Sequence, residues 1–284
     1  METKCFRDYV RELRSTYIRD PKELSVGFFA MCSYQPDAWD HVFMNIRKHY
    51  QTEPIVLLND GMEQYDYSEM SKKYNCIHIK EEKNICLLWN DIEDSHSFMH
   101  RLNKTCDLLG TEWVINLHPD VICQHKICYY PTSYLCGVGC GSRDGISKNN
   151  FRVSKSWRRI EEYIRGKNPE VRMNGWGWCG GSIMKISIFK DIYNDIYSSS
   201  PHATLEEIEK VYKEAVRYED TLLPVLFNVY GYEYRIWKDN PEFHRGEKHG
   251  AFLHGYKEHY DFKKRGETLE IFNERRHEQS SEKK

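Results

Sequence analysis

The sequence lacks long apolar runs, and no stretch of its 284 residues approaches the roughly 20 apolar residues that cross a bilayer. Residues 1–20 are charged and lack the apolar centre of a secretory signal. The formal net charge is only −2, so the chain also lacks the positive excess that attracts nucleic acid. These absences predict a cytoplasmic protein with no transmembrane segment and no nucleic-acid partner.

Internal repeats, low-complexity tracts and breaks in composition are absent as well. The simplest organisation is therefore one large domain over residues 24–260, a length ample for a single hydrophobic core. Residues 1–23 are predicted to form a charged, amphipathic lead-in helix that ends at Pro21. Residues 261–284 are dominated by Lys, Arg and Glu, which predicts a charged and partly disordered tail.

The ten cysteines lack the paired two-residue spacing of common zinc knuckles. The set that comes nearest to a zinc site is Cys123, Cys128, Cys136 and Cys140, with His125 among them. The segments between these residues have the pattern of strand and loop, and free cysteine packs as a small hydrophobe. Packed free thiols are therefore the favoured interpretation, and a zinc site is the alternative.

Short apolar runs alternate with segments of helical periodicity. The apolar runs predict strands over 24–32, 54–58, 75–79, 113–117, 182–186 and 233–237. The periodic segments predict helices over 38–50, 69–74, 92–109, 157–164, 189–197, 205–216 and 221–230. Alternation of this kind predicts an α/β fold with a mostly parallel sheet covered by helices.

The run over 113–117 delivers His118-Pro119-Asp120 at its end. Pro119 has no N–H to donate, so the ladder is expected to stop there and the chain to turn. A carboxylate at the carboxyl end of a buried parallel strand lies where open α/β sheets bind ligands. Asp120 therefore suits a hard cation that carries a diphosphate, although capping of the next turn is a structural alternative.

Two further stretches carry residues of interest. Residues 174–181 hold four glycines and two tryptophans, which permit close backbone approach and offer flat apolar faces for a ring. Glu219 and Asp220 open the predicted helix over 221–230. Because a helix dipole stabilises acids at its start, structure alone could also explain that pair.

Four histidines follow at intervals of five residues: His244, His249, His254 and His259. That interval does not suit one face of a helix, so a loop is predicted. The glycine-flanked segment His254-Gly255-Tyr256-Lys257 could fold back over a bound anion.

Taken in this order, the features resemble the GT-A class of nucleotide-sugar glycosyltransferases over roughly residues 24–260. The turn Ser33-Tyr34-Gln35-Pro36 resembles the grip of that class on the nucleotide base, and Asn59-Asp60-Gly61 resembles its base- or ribose-contacting acid. His118-Pro119-Asp120 occupies the place of the Asp-x-Asp metal motif. Residues 176–181 resemble the acceptor loop, and Glu219-Asp220 resembles the Glu-Asp helix of the class.

The resemblance implies roles for individual residues of this chain. The implied donor contacts are Ser33, Gln35, Asp60, Arg101, His118 and Lys257. The implied acceptor contacts are Trp176, Trp178, Gly180 and Gly181. Asp120 and His254 are the implied ligands of Mn²⁺ or Mg²⁺, and Asp220 and Glu219 are the implied catalytic carboxylates.

The chemistry of glycosyl transfer gives these residue types a physical reason. A leaving nucleotide diphosphate needs its negative charge neutralised, which a divalent cation and a lysine do. The incoming hydroxyl must lose a proton; Asp220 is the predicted base, and Glu219 positions the acceptor or exchanges that role. A base that acts directly on the acceptor implies single displacement and inversion at the sugar carbon. The expected partners are a UDP- or GDP-sugar and a glycan or glycoprotein.

One departure leaves the metal requirement open: His118 stands where the class has the first Asp, and imidazole either binds Mn²⁺ or contacts the ribose. Two other classes remain as alternatives. A metal-dependent nucleotidyltransferase or phosphoesterase would use Asp60, Asp120 and the histidines, but residues 25–40 contain no Lys or Arg and only one glycine. A non-catalytic protein that binds nucleotide sugars would keep the cleft without the chemistry.

Overall fold

The computed structural model describes residues 24–61, 65–85, 91–137, 155–171, 177–216, 219–240 and 250–253. The predicted lead-in helix over 1–23 and the predicted tail over 261–284 lie outside these residues. The strands are β1 (Val26–Cys32), β2 (Ile55–Asp60), β3 (Ile77–Glu81), β4 (Trp113–Leu117), β5 (Ile122–Cys123), β6 (Leu135–Gly137), β7 (Ile183–Lys185), β8 (Tyr234–Ile236) and β9 (Phe252–Leu253). The helices are α1 (Pro36–His49), α2 (Ser68–Lys73), α3 (Ile92–Leu109), α4 (Lys155–Lys167), α5 (Ile186–Ile196), α6 (Leu205–Val211) and α7 (Glu219–Val229).

Seven strands form one sheet in the order β3-β2-β1-β4-β7-β6-β8, and β5 pairs with β9 in a separate two-stranded sheet. The first four strands of that order run parallel, and β6 pairs parallel with β8. Strand β7 is antiparallel to both of its neighbours. The predicted class, α/β with a mostly parallel sheet flanked by helices, is therefore confirmed. Assignment to the GT-A class stays a prediction.

Both faces of the central strands are covered. In β1 every residue is buried, and alternate residues enter two different cores. Phe29 and Met31 pack in the core that contains α3, α5 and α7, whereas Phe28 and Ala30 pack in the core that contains α1. A strand buried on both faces has a continuous apolar sequence, which is why β1, β2 and β4 could be predicted from apolar runs.

Local signals account for several helix ends. The side chain of Asp91 accepts a hydrogen bond from the backbone N–H of Asp94 and caps the start of α3. Gly110, the predicted cap, ends that helix with a left-handed φ of 60°. Helix α5 begins at Ile186, three residues before the predicted start. The prediction began too late because the Ile-Ser-Ile opening of this helix has the alternating pattern of a strand. The predicted helix over 205–216 is split into α6 and a 3-10 turn over Lys213–Val216.

The strand order places a crevice at the centre of the sheet. From β1 the chain builds outward through β2 and β3 on one side, whereas β4 lies on the other side of β1. Connections that leave two adjacent parallel strands in opposite directions open a gap at their carboxyl ends, and open α/β sheets bind ligands there.

Among the helices of the described ranges, none is long and apolar enough to cross a membrane.

Candidate functional site

A cleft of about 150 Å³ opens at the carboxyl ends of β1 and β4. Its β1 side is lined by Phe29, Met31, Tyr34 and Trp39. Residues 116–119 line the β4 side, and the walls are completed by Phe98, Trp178 and Glu219. The cleft therefore occupies the switch point of the sheet and combines aromatic faces with a carboxyl group.

Polar atoms without partners surround this cleft. The indole N–H groups of Trp39 and Trp178 are buried and have no hydrogen-bond partner among the described residues. The same holds for Ser33 Oγ and Gln35 Oε1, on either side of the cleft residue Tyr34. Buried polar groups are nearly always hydrogen-bonded, and each one left alone costs about 1–3 kcal/mol. Their position in and beside one cleft suits a site that bonds a ligand.

Glu219 and Asp220 stand at the start of α7, as predicted. Glu219 Oε1 lies 3.6 Å from His118 Nε2. One potential ligand atom from each of His118, Glu219 and Asp220 lies within 4.8 Å of the others. The backbone N–H of Trp178 donates to the carbonyl of Asp220 at 3.3 Å, so the loop before β7 packs directly on the acidic pair.

The environment of Glu219 favours its protonated form. Burial is the main cause, and the neighbouring Asp220 carboxylate adds to it; together they raise the pKa of Glu219 to about 7, against the opposing effect of His118. The side chain is 19% exposed. A helix dipole acts in the other direction, because it lowers the pKa of acids at the first turn. Stabilisation by the dipole is therefore not sufficient to explain this acid pair.

Asn116, the one polar residue within the apolar run of β4, orients His118. Its amide nitrogen lies 2.7 Å from the carbonyl oxygen of Trp178, an atom that can only accept, so the orientation of the amide is fixed. The same nitrogen lies 3.1 Å from His118 Nε2, which must then accept as well. In this arrangement Nδ1 carries the proton of a neutral His118 ring.

The glycines predicted to contact an acceptor instead allow the loop to pack against β4. A Cβ on Gly180 would lie 2.7 Å from the Cβ of His118 and 2.9 Å from Val121 Cγ2. Gly181 has a φ of +85°, and its N–H donates to the carbonyl of Asn116 at 2.6 Å. Close approach is thus required by the protein itself, and acceptor contact by these glycines stays a prediction.

Trp178 is fully buried and is one of the residues that line the cleft. It is packed in the larger core, so its ring is not an open platform for an acceptor sugar. Its role as an acceptor contact stays a prediction. Trp176, the other predicted aromatic contact, lies outside the described residues, as do the predicted donor contact Lys257 and the predicted metal ligand His254.

Asp120 follows β4 in a turn closed by a hydrogen bond from the N–H of Val121 to the carbonyl of His118 at 3.1 Å. It is 9% exposed and does not belong to the group formed by His118, Glu219 and Asp220. The assignment of Asp120 as a metal ligand stays a prediction.

Asp60 and Arg101, two predicted donor contacts, form an ion pair with each other. Their side chains are 0% and 7% exposed. Asp60 also accepts from the N–H of Ile85 at 3.0 Å, and Arg101 donates to the carbonyl of Lys83 at 2.7 Å. This geometry favours a structural role in which the pair holds the segment after β3 against the end of β2. Donor contact by either residue stays a prediction.

Sequence reasoning did not single out Trp39, Phe98 or Asn116 as site residues. For Asn116 a signal existed, because a lone polar residue inside a buried apolar strand needs a specific partner. Trp39 lies in the first turn of α1, directly after the turn that was assigned to the nucleotide base. Phe98 carries no comparable signal, since it has the helical spacing of an ordinary core residue.

A scan of the chain against known protein families finds no match, and a search of curated proteins finds none either.

Proposed function

We propose that this chain is a glycosyltransferase that moves a sugar from a UDP- or GDP-sugar to a hydroxyl of a glycan or glycoprotein. The observation that carries the proposal is the cleft at the switch point of the sheet. Aromatic residues line its β1 side, next to the unpartnered polar atoms of Ser33 and Gln35, and Glu219, with a pKa of about 7, lines it from α7. The first set suits a nucleotide, and the second suits removal of a proton from a hydroxyl.

Donor recognition is assigned to the turn after β1. Ser33 Oγ and Gln35 Oε1 are buried acceptors, and Trp39 Nε1 is a buried donor, all without partners among the described residues. A nucleotide base carries both donors and acceptors on its edges and a flat face that stacks on aromatic rings. Tyr34 lines the same side of the cleft. The base is therefore placed against β1 and α1, with the diphosphate directed toward the end of β4.

The acidic pair supplies the catalytic base. A general base works best when its pKa lies near the working pH, because it is then both available and strongly basic. Of the two acids, Glu219 lines the cleft and has its pKa raised to about 7. This supports the exchange of roles that the sequence left open, with Glu219 taking the proton and Asp220 keeping the pKa of its neighbour high. Direct attack by the activated hydroxyl inverts the sugar carbon.

The residues present fit a divalent cation. His118, Glu219 and Asp220 offer one nitrogen and two oxygen ligands within 4.8 Å, a set that suits Mn²⁺, and Asp220 Oδ1 has no partner among the described residues. An ion on this set would replace the hydrogen bond from Asn116 to His118 Nε2 and would lower the pKa of Glu219, so an ion bound here and Glu219 acting as the base are alternatives. When bound, such an ion neutralises charge on the leaving diphosphate. The sequence-based alternative, Asp120 with His254, is tested separately below.

The first experiment measures binding of UDP, GDP and their sugar derivatives to the full chain by thermal shift and calorimetry, with Mn²⁺ and with chelator. A ligand at a hundredfold excess over its Kd should stabilise the fold by about 2.7 kcal/mol. Asp120→Asn and His118→Ala then separate the two ion sites, since only the variant that removes a true ligand should lose the Mn²⁺ dependence of nucleotide binding.

The second experiment measures release of nucleotide from the preferred donor, with water or a hydroxyl acceptor. Glu219→Gln should reduce turnover by about 10²–10⁴-fold while nucleotide affinity changes little. Exposed Glu170, replaced by Gln, is the matched control and should behave as wild type. A larger loss in Asp220→Asn than in Glu219→Gln would return the role of base to Asp220, as the sequence predicts.

Three outcomes would overturn the proposal. Failure of every nucleotide and nucleotide sugar to bind would remove the donor. Cleavage within the diphosphate, in place of release of the intact nucleoside diphosphate, would favour a phosphoesterase or nucleotidyltransferase. Tight binding without turnover by the wild-type chain on any hydroxyl acceptor would favour a nucleotide-sugar-binding protein.

A further inference from the structure

A second group of potential metal ligands lies away from the cleft. His125 and Cys128 lie three positions apart in the loop between β5 and β6, and Asp239 lies in the turn after β8. One ligand atom from each of the three lies within 4.8 Å of the others. The group combines nitrogen, sulfur and oxygen ligands.

Asp239 is the residue that ordinary packing explains least. It is fully buried, and its Oδ2 accepts from the backbone N–H groups of Cys128 at 2.7 Å and Tyr129 at 2.6 Å. These two bonds explain why a carboxylate holds the loop. They use one oxygen only, because Oδ1 is buried and makes no hydrogen bond of ordinary geometry among the described residues; the backbone N–H of Ala251 also lies near enough to the carboxylate to favour its ionised form. A buried carboxylate oxygen without a partner is costly, so this atom calls for a proton or a cation.

His125 has one ring nitrogen available for a metal. Its Nδ1 lies 2.7 Å from the carbonyl oxygen of Lys126, which can only accept, so Nδ1 carries the proton and Nε2 keeps its lone pair. Metal-bound histidines usually donate their other ring N–H to a carbonyl or carboxylate in this way. Cys128 Sγ lies 3.7 Å from Nδ1, so the ring has to turn to present Nε2 to an ion that the sulfur also binds. Both side chains are partly exposed, so an ion can reach them.

We propose that His125, Cys128 and Asp239 bind a zinc ion, with water as the fourth ligand. Zinc accepts mixed nitrogen, sulfur and oxygen ligands in tetrahedral geometry, at about 2.0–2.3 Å from the ion. On binding, the S–H bond of Cys128 breaks, its proton passes to water, and a Zn–S bond forms. The ligand atoms, now within 4.8 Å of one another, have to move closer together around the ion, which the partly exposed His125 and Cys128 allow.

The site would join three parts of the fold. Asp239 accepts a backbone hydrogen bond from Phe252 of β9 at 2.7 Å, and β9 pairs with β5. Zinc would therefore fix the loop after β5 to the turn after β8 and to the small sheet. The other cysteines of the sequence-based zinc set take no part, since Cys123 and Cys136 are buried free thiols, as predicted, and Cys140 lies outside the described residues.

The test uses the full chain with Zn²⁺ and Co²⁺. After equilibration and dialysis, metal analysis should give about one ion per chain, and the Co²⁺ form should show an intense near-ultraviolet band from a thiolate ligand. Cys128→Ser should abolish that band and weaken Zn²⁺ binding at least tenfold. Zinc should raise the Tm of the wild-type chain and not of this variant.

Two controls make the result specific. Cys76→Ser changes another partly buried free thiol and should keep the band and the affinity. The band also separates this site from an ion in the cleft, because His118, Glu219 and Asp220 offer no sulfur. Asp239→Asn should weaken binding, and if it fails to fold, Cys128→Ser still decides. Absence of a thiolate band in the wild-type chain, or an unchanged band in Cys128→Ser, would overturn the proposal whatever the cleft does.

Discussion

Replacing Glu219 by glutamine should stabilise the protein at neutral and alkaline pH. The substitution keeps the size and the shape of the side chain and removes a carboxyl whose pKa is raised to about 7 by burial and by Asp220. When a carboxyl has a higher pKa in the folded state than in the unfolded state, its ionisation lowers the free energy of unfolding. The cost is absent below the unfolded pKa of 4.5, grows as the pH rises, and is complete above about 7.

The magnitude follows from the same shift. Moving a carboxyl pKa from 4.5 to about 7 corresponds to about 3 kcal/mol of unfavourable ionisation. The 19% exposure of the side chain reduces this through solvent screening, so a gain of about 1–3 kcal/mol is expected at pH 8. For a domain of this size each kcal/mol corresponds to roughly 2–4 °C in Tm.

Urea denaturation at pH 5 and at pH 8 measures the effect, with wild type, Glu219→Gln and Glu170→Gln compared at each pH. The stability difference between Glu219→Gln and wild type should increase from pH 5 to pH 8, while exposed Glu170 should show no such trend. A difference that is equal at both pH values, or that favours wild type at pH 8, would refute the claim that burial raises this pKa. Combined with loss of turnover, a stability gain would show a residue kept for function at the expense of stability.

Three other substitutions test contacts that shape the site. Gly180→Ala should destabilise the fold by about 1–3 kcal/mol in urea denaturation, because the added methyl would lie 2.7 Å from the Cβ of His118. The control Gly166→Ala, whose added methyl meets nothing within 4 Å, should be neutral or stabilising in the same assay. Arg101→Leu should cost about 3–5 kcal/mol by leaving the Asp60 carboxylate buried without its cation, and adding Asp60→Asn should recover part of the loss in a double-mutant cycle. Asp91→Ala should lower the stability by about 1 kcal/mol through loss of the α3 cap, measured as a fall in Tm with nucleotide affinity unchanged.

Local sequence signals were sufficient for the class of fold and for most of its elements. Strands β1, β2 and β4 are buried on both faces, so their sequences are continuous apolar runs. Gly110 was recognisable as a helix cap because helices commonly end at a glycine in the left-handed conformation, which is a local property of the chain. The reversal of β7 was not predictable, since strand direction depends on pairing with β4 and β6, which lie far away in the chain.

The site was predictable only where its residues follow strands directly. His118 comes immediately after β4 and Ser33 after β1, so their position at one edge of the sheet follows from the alternation of elements. Pairings across long separations carried no sequence signal. Asp60 forms its ion pair with Arg101 across 41 residues of sequence, and Asp239 accepts a hydrogen bond from the N–H of Cys128 across 111 residues.

Hydrogen-bond satisfaction divides the predicted polar residues into two groups. Asp60 and Arg101 are buried and use their polar atoms on each other and on the backbone, so the fold itself accounts for them. Ser33 and Gln35 each have a buried side-chain oxygen left unpartnered among the described residues, and Glu219 ionises against its environment. Groups of the second kind lower the stability of the free protein, and a bound ligand is the simplest way to recover that loss. The same criterion separates Asp239, which leaves one buried oxygen unused, from an ordinary loop anchor, and it places both candidate sites where packing alone gives no explanation.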